Sequence, residues 1–282
     1  MKLASIQFKT QRLAAVVVDG GYVPLQAQNL SEFLRDEQWR NLARQAVVSG
    51  SSNFIAANEA TILNPIPTPT KVICCGLNYS DHILEMGREL PEYPTLFAKF
   101  ADTLTDPNAQ IFSENSESVD WEAELAVVVG STLCQATEKD ALEAIAGYTV
   151  ANDISMRDWQ RRTLQWFQGK AFDGTTPLGP YLVTPDELDP VAGVEVICRI
   201  NGEEVQRGNT RTLVFAAASL LSYISSFTTL RAGDVVLTGT PGGVGMGMTP
   251  PRFLRSGDVL STEIPGIGEL VNTFTLRVSA DA

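Results

Sequence analysis

The chain of 282 residues holds one histidine, His82, and four cysteines, Cys74, Cys75, Cys134 and Cys198. No two cysteines have C-x-x-C spacing, and a single histidine cannot complete a Cys/His zinc site. Cys74 and Cys75 fall in the apolar run Val72-Ile73-Cys74-Cys75, where free thiols act as small buried hydrophobes, so all four read as reduced and structural. Basic residues are also scarce. There are 21 Lys and Arg against 33 Asp and Glu, for a net charge of −12. A nucleic-acid partner needs a basic face and is excluded. No run approaches the roughly 18 consecutive apolar residues of a membrane helix, so no membrane partner is expected. The opening MKLASIQFKTQRLAAVVVDGG lacks the basic, apolar and cleavage regions of a signal peptide, which predicts a soluble, cytoplasmic protein. The glycine stretch TGTPGGVGMG (238–247) lacks the G-K-[ST] ending of a P-loop, and no helix pattern follows it. It fits no Rossmann βαβ unit either. Its glycines let backbone approach a ligand closely, and Thr240 offers a hydroxyl and an amide there.

Apolar residues make up 44% of the chain, enough for a sizeable core. Residues 1–63 predict a small β-rich N-terminal domain. KLASIQF alternates like a strand, and RLAAVVV, Asp19-Gly20-Gly21 and YVPL form a hairpin pattern. Ser31 is the expected cap of a helix through Val48, with Gly50 as its stop. The prolines of NPIPTPT suppress helix and sheet alike, making 64–70 a linker. Residues 71–282 form the second, catalytic domain. KVICCG, ELAVVVG, YTVAND, VEVICRI, DVVLTG and NTFTLRV are strand-like runs. Thr137 with Asp140 has the pattern of a capping box, and another helix is expected from about Leu213 to Phe227. LRAGDVV (230–236) and LRSGDVL (254–260) repeat a turn that leads into a strand. Helices are too few for βαβ alternation, so the expected fold class is α+β, mainly β, with mixed sheets.

In SVDWEAELAVVVG, period-two alternation sends Glu122 and Glu124 to one face, about 6.6 Å apart along the strand. Two like charges beside a core repel each other and are costly to desolvate, and a divalent cation would resolve both problems. An exposed strand end with two solvated glutamates fits the spacing equally well. Asp153, after YTVAN, ends another strand. Three carboxylates make a hard oxygen site for Mg²⁺, Mn²⁺ or Ca²⁺ rather than zinc. If DISMRDWQRR is helical, Arg157 and Gln160 share a face with Asp153, suited to a carboxylate or carbonyl substrate. An ordinary amphipathic helix explains the same pattern. Lys170 is a second positive charge at the site or a solvated side chain. Lys99, in PTLFAKF (94–100), meets a substrate carboxylate or lies on the surface.

These pieces resemble the fumarylacetoacetate hydrolase family. The resemblance rests on CGLNYSDHILE (75–85), DWEAELAVVVG (120–130), Asp153 with Arg157 and Gln160, QGKAFDG (168–174) with Lys170, and TGTPGGVG (238–245), in the family's order. It implies a mixed β-roll catalytic domain in a homodimer. It also implies Mg²⁺ or Mn²⁺ at Glu122, Glu124 and Asp153, with Ca²⁺ as a substitute. It carries a histidine–glutamate dyad onto His82 and Glu85, whose H-x-x-E spacing suits one helical turn. In the family this segment is a lid that orders on substrate binding.

The expected function is metal-dependent hydrolysis of a carbon–carbon bond in a small β-diketone or acylpyruvate-type 2-oxo acid. His82, oriented by Glu85, takes a proton from the attacking water. Lys170 and Thr240 face developing charge on oxygen. Arg157, Gln160 and Lys99 are the candidate substrate contacts. Oxaloacetate decarboxylation and hydration or isomerisation of a 2-oxo acid are the enzymatic alternatives. A metal-stabilised binding protein is the non-enzymatic one.

Overall fold

The run AELAVVV forms a strand, Ala123–Val129, that is buried along its whole length. A strand buried on both faces needs cover on both, and alternation sorts its residues between them. Leu125, Val127 and Val129 enter one core with Leu220, Leu260 and Phe274. Ala126 and Val128 enter the other with Leu3, Leu30 and Trp39.

The computed structural model describes residues 1–49, 53–85, 87 and 89–277; the side chains of His82 and Glu85 also fall outside the description. The N-terminal strands are β1 (Lys2–Phe8), β2 (Gln11–Val18), β3 (Gly21–Pro24), β4 (Ile55–Ala56) and β5 (Ala60–Leu63). Next come β6 (Val72–Gly76), β7 (Thr95–Lys99), β8 (Leu104–Thr105), β9 (Gln110–Glu114) and β10 (Val119–Asp120). They are followed by β11 (Ala123–Val129), β12 (Ile145–Asn152), β13 (Ser155–Met156) and β14 (Thr176–Val183). The last are β15 (Glu195–Ile200), β16 (Glu203–Asn209), β17 (Val235–Leu237), β18 (Val259–Ile264) and β19 (Gly268–Arg277). A 12-stranded mixed sheet runs β4-β3-β2-β1-β14-β12-β11-β17-β6-β7, with β5 on β1 and β8 on β14. A 5-stranded sheet, β16-β15-β18-β19-β9, covers one face, and β10 pairs with β13. The fold is mainly β, as expected. The strands of residues 1–63 continue the large sheet through the pairing of Lys2 and Leu3 with Val183 and Leu182.

The expected helix from Ser31 to Val48 is instead two, α1 (Leu30–Phe33) and α2 (Trp39–Ser49), and Gly50 lies outside the described residues. Asn29, not Ser31, caps α1, its side chain accepting from the Glu32 amide. Asp36 Oδ1 accepts from the Gln38 amide at 2.8 Å, one of the local bonds that compete with helix continuation. The remaining helices are α3 (Ser80–Glu85), α4 (Glu138–Glu143), α5 (Arg157–Gln160), α6 (Phe167–Lys170) and α7 (Ala217–Ser225). Thr137 and Asp140 form the expected capping box on α4. Helix α7 starts later than expected, because the amides of Val214 and Phe215 are taken by Asn78. Both copies of the L-R-x-G-D repeat are turns. The Arg231 and Arg255 amides donate to Asp234 and Asp258, and Gly233 and Gly257 take positive φ before β17 and β18.

Candidate active site

Strands β11 and β12 are antiparallel neighbours with Ala123 opposite Asn152, and the Asp153 amide donates to the Glu122 carbonyl at 2.9 Å. This register brings Glu122, just before β11, Glu124, within it, and Asp153, just after β12, to one end of the pair. One carboxylate oxygen from each lies within 4.8 Å of those of the other two. Glu124 and Asp153 are buried and Glu122 is nearly so.

Cationic side chains interleave with them. Lys170 Nζ is 2.7 Å from Glu122 and 2.8 Å from Asp153. Lys99 pairs with the other oxygen of Asp153. Arg157 Nη1 is 2.6 Å from Glu122 and 2.9 Å from Gln160 Oε1, and its Nε is 2.8 Å from Asp120. Burial alone would raise the Asp153 carboxyl, but the ammonium groups of Lys170 and Lys99 overrule it and hold the pKa below its ordinary value. Burial would lower Lys170, but Asp153 and Glu122 keep it raised. Glu124 has no cationic partner among the described residues. Burial, then the charges of Asp153 and Glu122, push it well above the carboxylate range. Four carboxylates (Asp120, Glu122, Glu124, Asp153) meet three cations (Lys99, Arg157, Lys170), leaving one surplus negative charge. An all-oxygen donor set with an undercompensated buried carboxylate fits a hard divalent cation.

A cavity of about 540 Å³ opens on this cluster, with Glu122, Arg157, Gln160, Lys170, Thr240 and Tyr79 in its wall. Arg157 Nη2 is buried without a partner among the described residues, leaving it a spare donor. Thr240 Oγ1 accepts from Gln206 Nε2 at 2.9 Å. Two expectations change. The segment from Asp153 to Met156 is not helical: β13 pairs with β10, and only residues 157–160 turn into α5. Arg157 therefore reaches the cluster by following that small ladder, its amide bound to the Ser118 carbonyl at 2.9 Å. Lys99 is not a surface lysine; its side chain is fully buried on Asp153. His82 and Glu85 lie in α3, which starts just beyond the cavity-lining residues 75–79. Their side chains are outside the described residues.

Sequence reasoning missed Asp120. Its Oδ1 accepts from the Trp121 and Gly245 amides, and its Oδ2 takes Arg157 Nε and the Met246 amide, so it ties the glycine stretch to the arginine. The signal was the same alternation: Asp120, Glu122 and Glu124 are spaced by two. Trp166 was missed as well. It lies over Gly76 and stands edge-on to Phe97, their ring centroids 5.7 Å apart, forming an aromatic wall of the cavity.

Fold and site together define a metal-site β-fold enzyme, and the chain matches the family described as fumarylacetoacetate (FAA) hydrolase C-terminal over residues 71–275. The chain belongs to the fumarylacetoacetate hydrolase family. Among its relatives, the human protein named oxaloacetate tautomerase FAHD2A, mitochondrial, is 41% identical over 263 residues, covering 90% of this chain and 83% of its own. The structure of fumarylacetoacetate hydrolase from psychrophilic Exiguobacterium antarcticum is similar with a TM-score of 0.87 and 34% identity, covering 98% of this chain and 100% of that one. 5-Carboxymethyl-2-hydroxymuconate delta-isomerase from Mycobacterium smegmatis is similar with a TM-score of 0.81 and 31% identity, at 98% and 100% coverage. No described helix is long and apolar enough to cross a membrane.

Proposed function

We propose that the protein is a divalent-metal-dependent enzyme of small 2-oxo acids that moves a proton at the carbon beside the keto group, with oxaloacetate as the leading substrate. The observation that carries this is the Glu122, Glu124 and Asp153 cluster facing a cavity that also holds Arg157 and Lys170. The similarity to the human oxaloacetate tautomerase supports the choice of substrate. Glu122, Glu124 and Asp153 hold Mg²⁺ or Mn²⁺, which supplies Lewis-acid polarisation of the substrate's oxygens. The free Nη2 of Arg157 takes a substrate carboxylate, with Gln160 fixing the guanidinium from behind. Lys170 and Thr240 face the oxygen where charge develops. Lys99 holds Asp153 in place rather than contacting substrate. His82, oriented by Glu85, moves the proton between enol oxygen and carbon. The proposal includes a homodimer, a cytosolic location, and residues 64–70 as the joint between an N-terminal and a catalytic unit.

Carbon–carbon hydrolysis of an acylpyruvate is the second reading, favoured by the similarity to the Exiguobacterium hydrolase. There His82 would take its proton from water. Purified protein with Mg²⁺, offered oxaloacetate, fumarylpyruvate and acylpyruvates, separates the two. Faster loss of enol absorbance without CO₂ or acid cleavage products supports tautomerisation, and acid products support hydrolysis. CO₂ release points to decarboxylation. Turnover of none of them rejects enzymatic action on 2-oxo acids.

A further inference from the structure

The segment Asn78-Tyr79-Ser80 leads into α3 with its flanking side chains fully paired. Asn78 Nδ2 donates to the carbonyls of Phe215 at 3.0 Å and Thr238 at 2.8 Å, and its Oδ1 accepts from the Phe215 amide at 2.8 Å. Ser80 Oγ donates to the Thr212 carbonyl at 2.9 Å. Tyr79 itself is 2% exposed, and its hydroxyl has no hydrogen-bond partner among the described residues. Buried hydroxyls are nearly always paired, because leaving one unpaired costs free energy. An orphan in a cavity wall therefore marks a donor whose partner comes with a ligand. Tyr79 lines the cavity that holds Glu122, Arg157 and Lys170. Its backbone is anchored by a bridge to Leu213 and by the Ile83 amide, which donates to its carbonyl at 3.0 Å, so the ring is presented from a fixed base.

We propose that the Tyr79 hydroxyl is a substrate-binding group, donating a hydrogen bond to an anionic oxygen of the 2-oxo acid in the cavity. This rests on the function proposed above and adds a residue to it. The neighbouring cations Arg157 and Lys170 select for negative charge in the same space. Burial, and after it the charge of Glu124, push the phenol pKa far up, so the group is a neutral donor at any working pH.

Tyr79→Phe removes only the oxygen. The expected result is a Tm no lower than wild type, since the unliganded fold loses no bond. With oxaloacetate and Mg²⁺, KM should rise about tenfold, the worth of one hydrogen bond to a charged group. Calorimetric affinity for oxalate, a planar enolate mimic, should fall by the same factor. A lowered Tm with unchanged KM and oxalate affinity overturns the proposal, because the hydroxyl is then bonded within the fold. Unchanged values on all three measurements overturn it too. A wild type that binds oxalate but turns over no 2-oxo acid sinks only the functional proposal, and the affinity ratio still decides the role of Tyr79. A wild type that does neither overturns both.

Discussion

The Gly239 amide donates to Glu124 Oε2 across 2.6 Å, the single hydrogen bond to that carboxylate among the described residues. One neutral donor leaves a buried anion undercompensated, which couples Glu124 to any cation beside it. Glu124→Gln keeps the shape and removes the charge. Mn²⁺ affinity is expected to fall about 100-fold or more, since altering mere outer partners of metal sites costs about 10–100-fold. Calorimetric titration measures this, and wild-type affinity in the variant would exclude the cluster as the ion's seat.

The same carboxylate sets a pH dependence. A carboxyl whose folded pKa is raised contributes stability below its unfolded value and loses it as pH rises through the folded one. Asp153, with its pKa depressed, is at full strength throughout that window, above its unfolded value. A bound divalent cation needs Glu124 ionised. The rise in Tm on adding Mg²⁺ should therefore grow with pH above the ordinary carboxylate range. A rise that is flat with pH would contradict this account.

His82→Ala is expected to lower kcat by about 10²–10⁴-fold, the usual contribution of a positioned acid–base group. Mn²⁺ affinity should be unchanged. Full activity in the variant would remove His82 and its partner Glu85 from the mechanism.

The carboxylate cluster was legible because strand alternation is a strict rule: Glu122 and Glu124 had to share a face, and Asp153 ended the next strand. The same rule read once more would have given Asp120. Lys99 was not legible, because nothing local distinguishes a lysine buried on a carboxylate from one in water. Its partner Asp153 is brought close only by tertiary packing. The helix expected after Asp153 failed because backbone pairing with β10 won over a helical charge pattern. Tyr79 left no signal in the sequence, since an unpaired hydroxyl is a property of what surrounds it.

A Cβ added to Gly76 would stand 2.5 Å from Trp166 Cζ3. Gly76→Ala must displace the indole that walls the cavity. An ångström-scale shift in a substrate-positioning wall should lower kcat/KM by about 10–100-fold. Steady-state kinetics with oxaloacetate test this, and wild-type kcat/KM would show that the wall does not position substrate.

Thiol chemistry should single out Cys134. It alone of the four cysteines is exposed, while burial and then the charge of Glu124 push the Cys75 thiol up to about 12, and burial does the same to Cys198. One thiol should react quickly with a disulfide reagent in native protein and four after denaturation. Rapid reaction of a second thiol would show that the buried strands open readily.

Strand β17, only Val235–Leu237, sits between β11 on one side and β6 on the other. During synthesis both flanking strands leave the ribosome long before β17 does. Until it arrives, each has an open, apolar edge of the kind that joins onto other chains. Three residues near the end of the chain thus decide whether a nascent molecule closes on itself or aggregates, and the metal cluster lies at the seam they close.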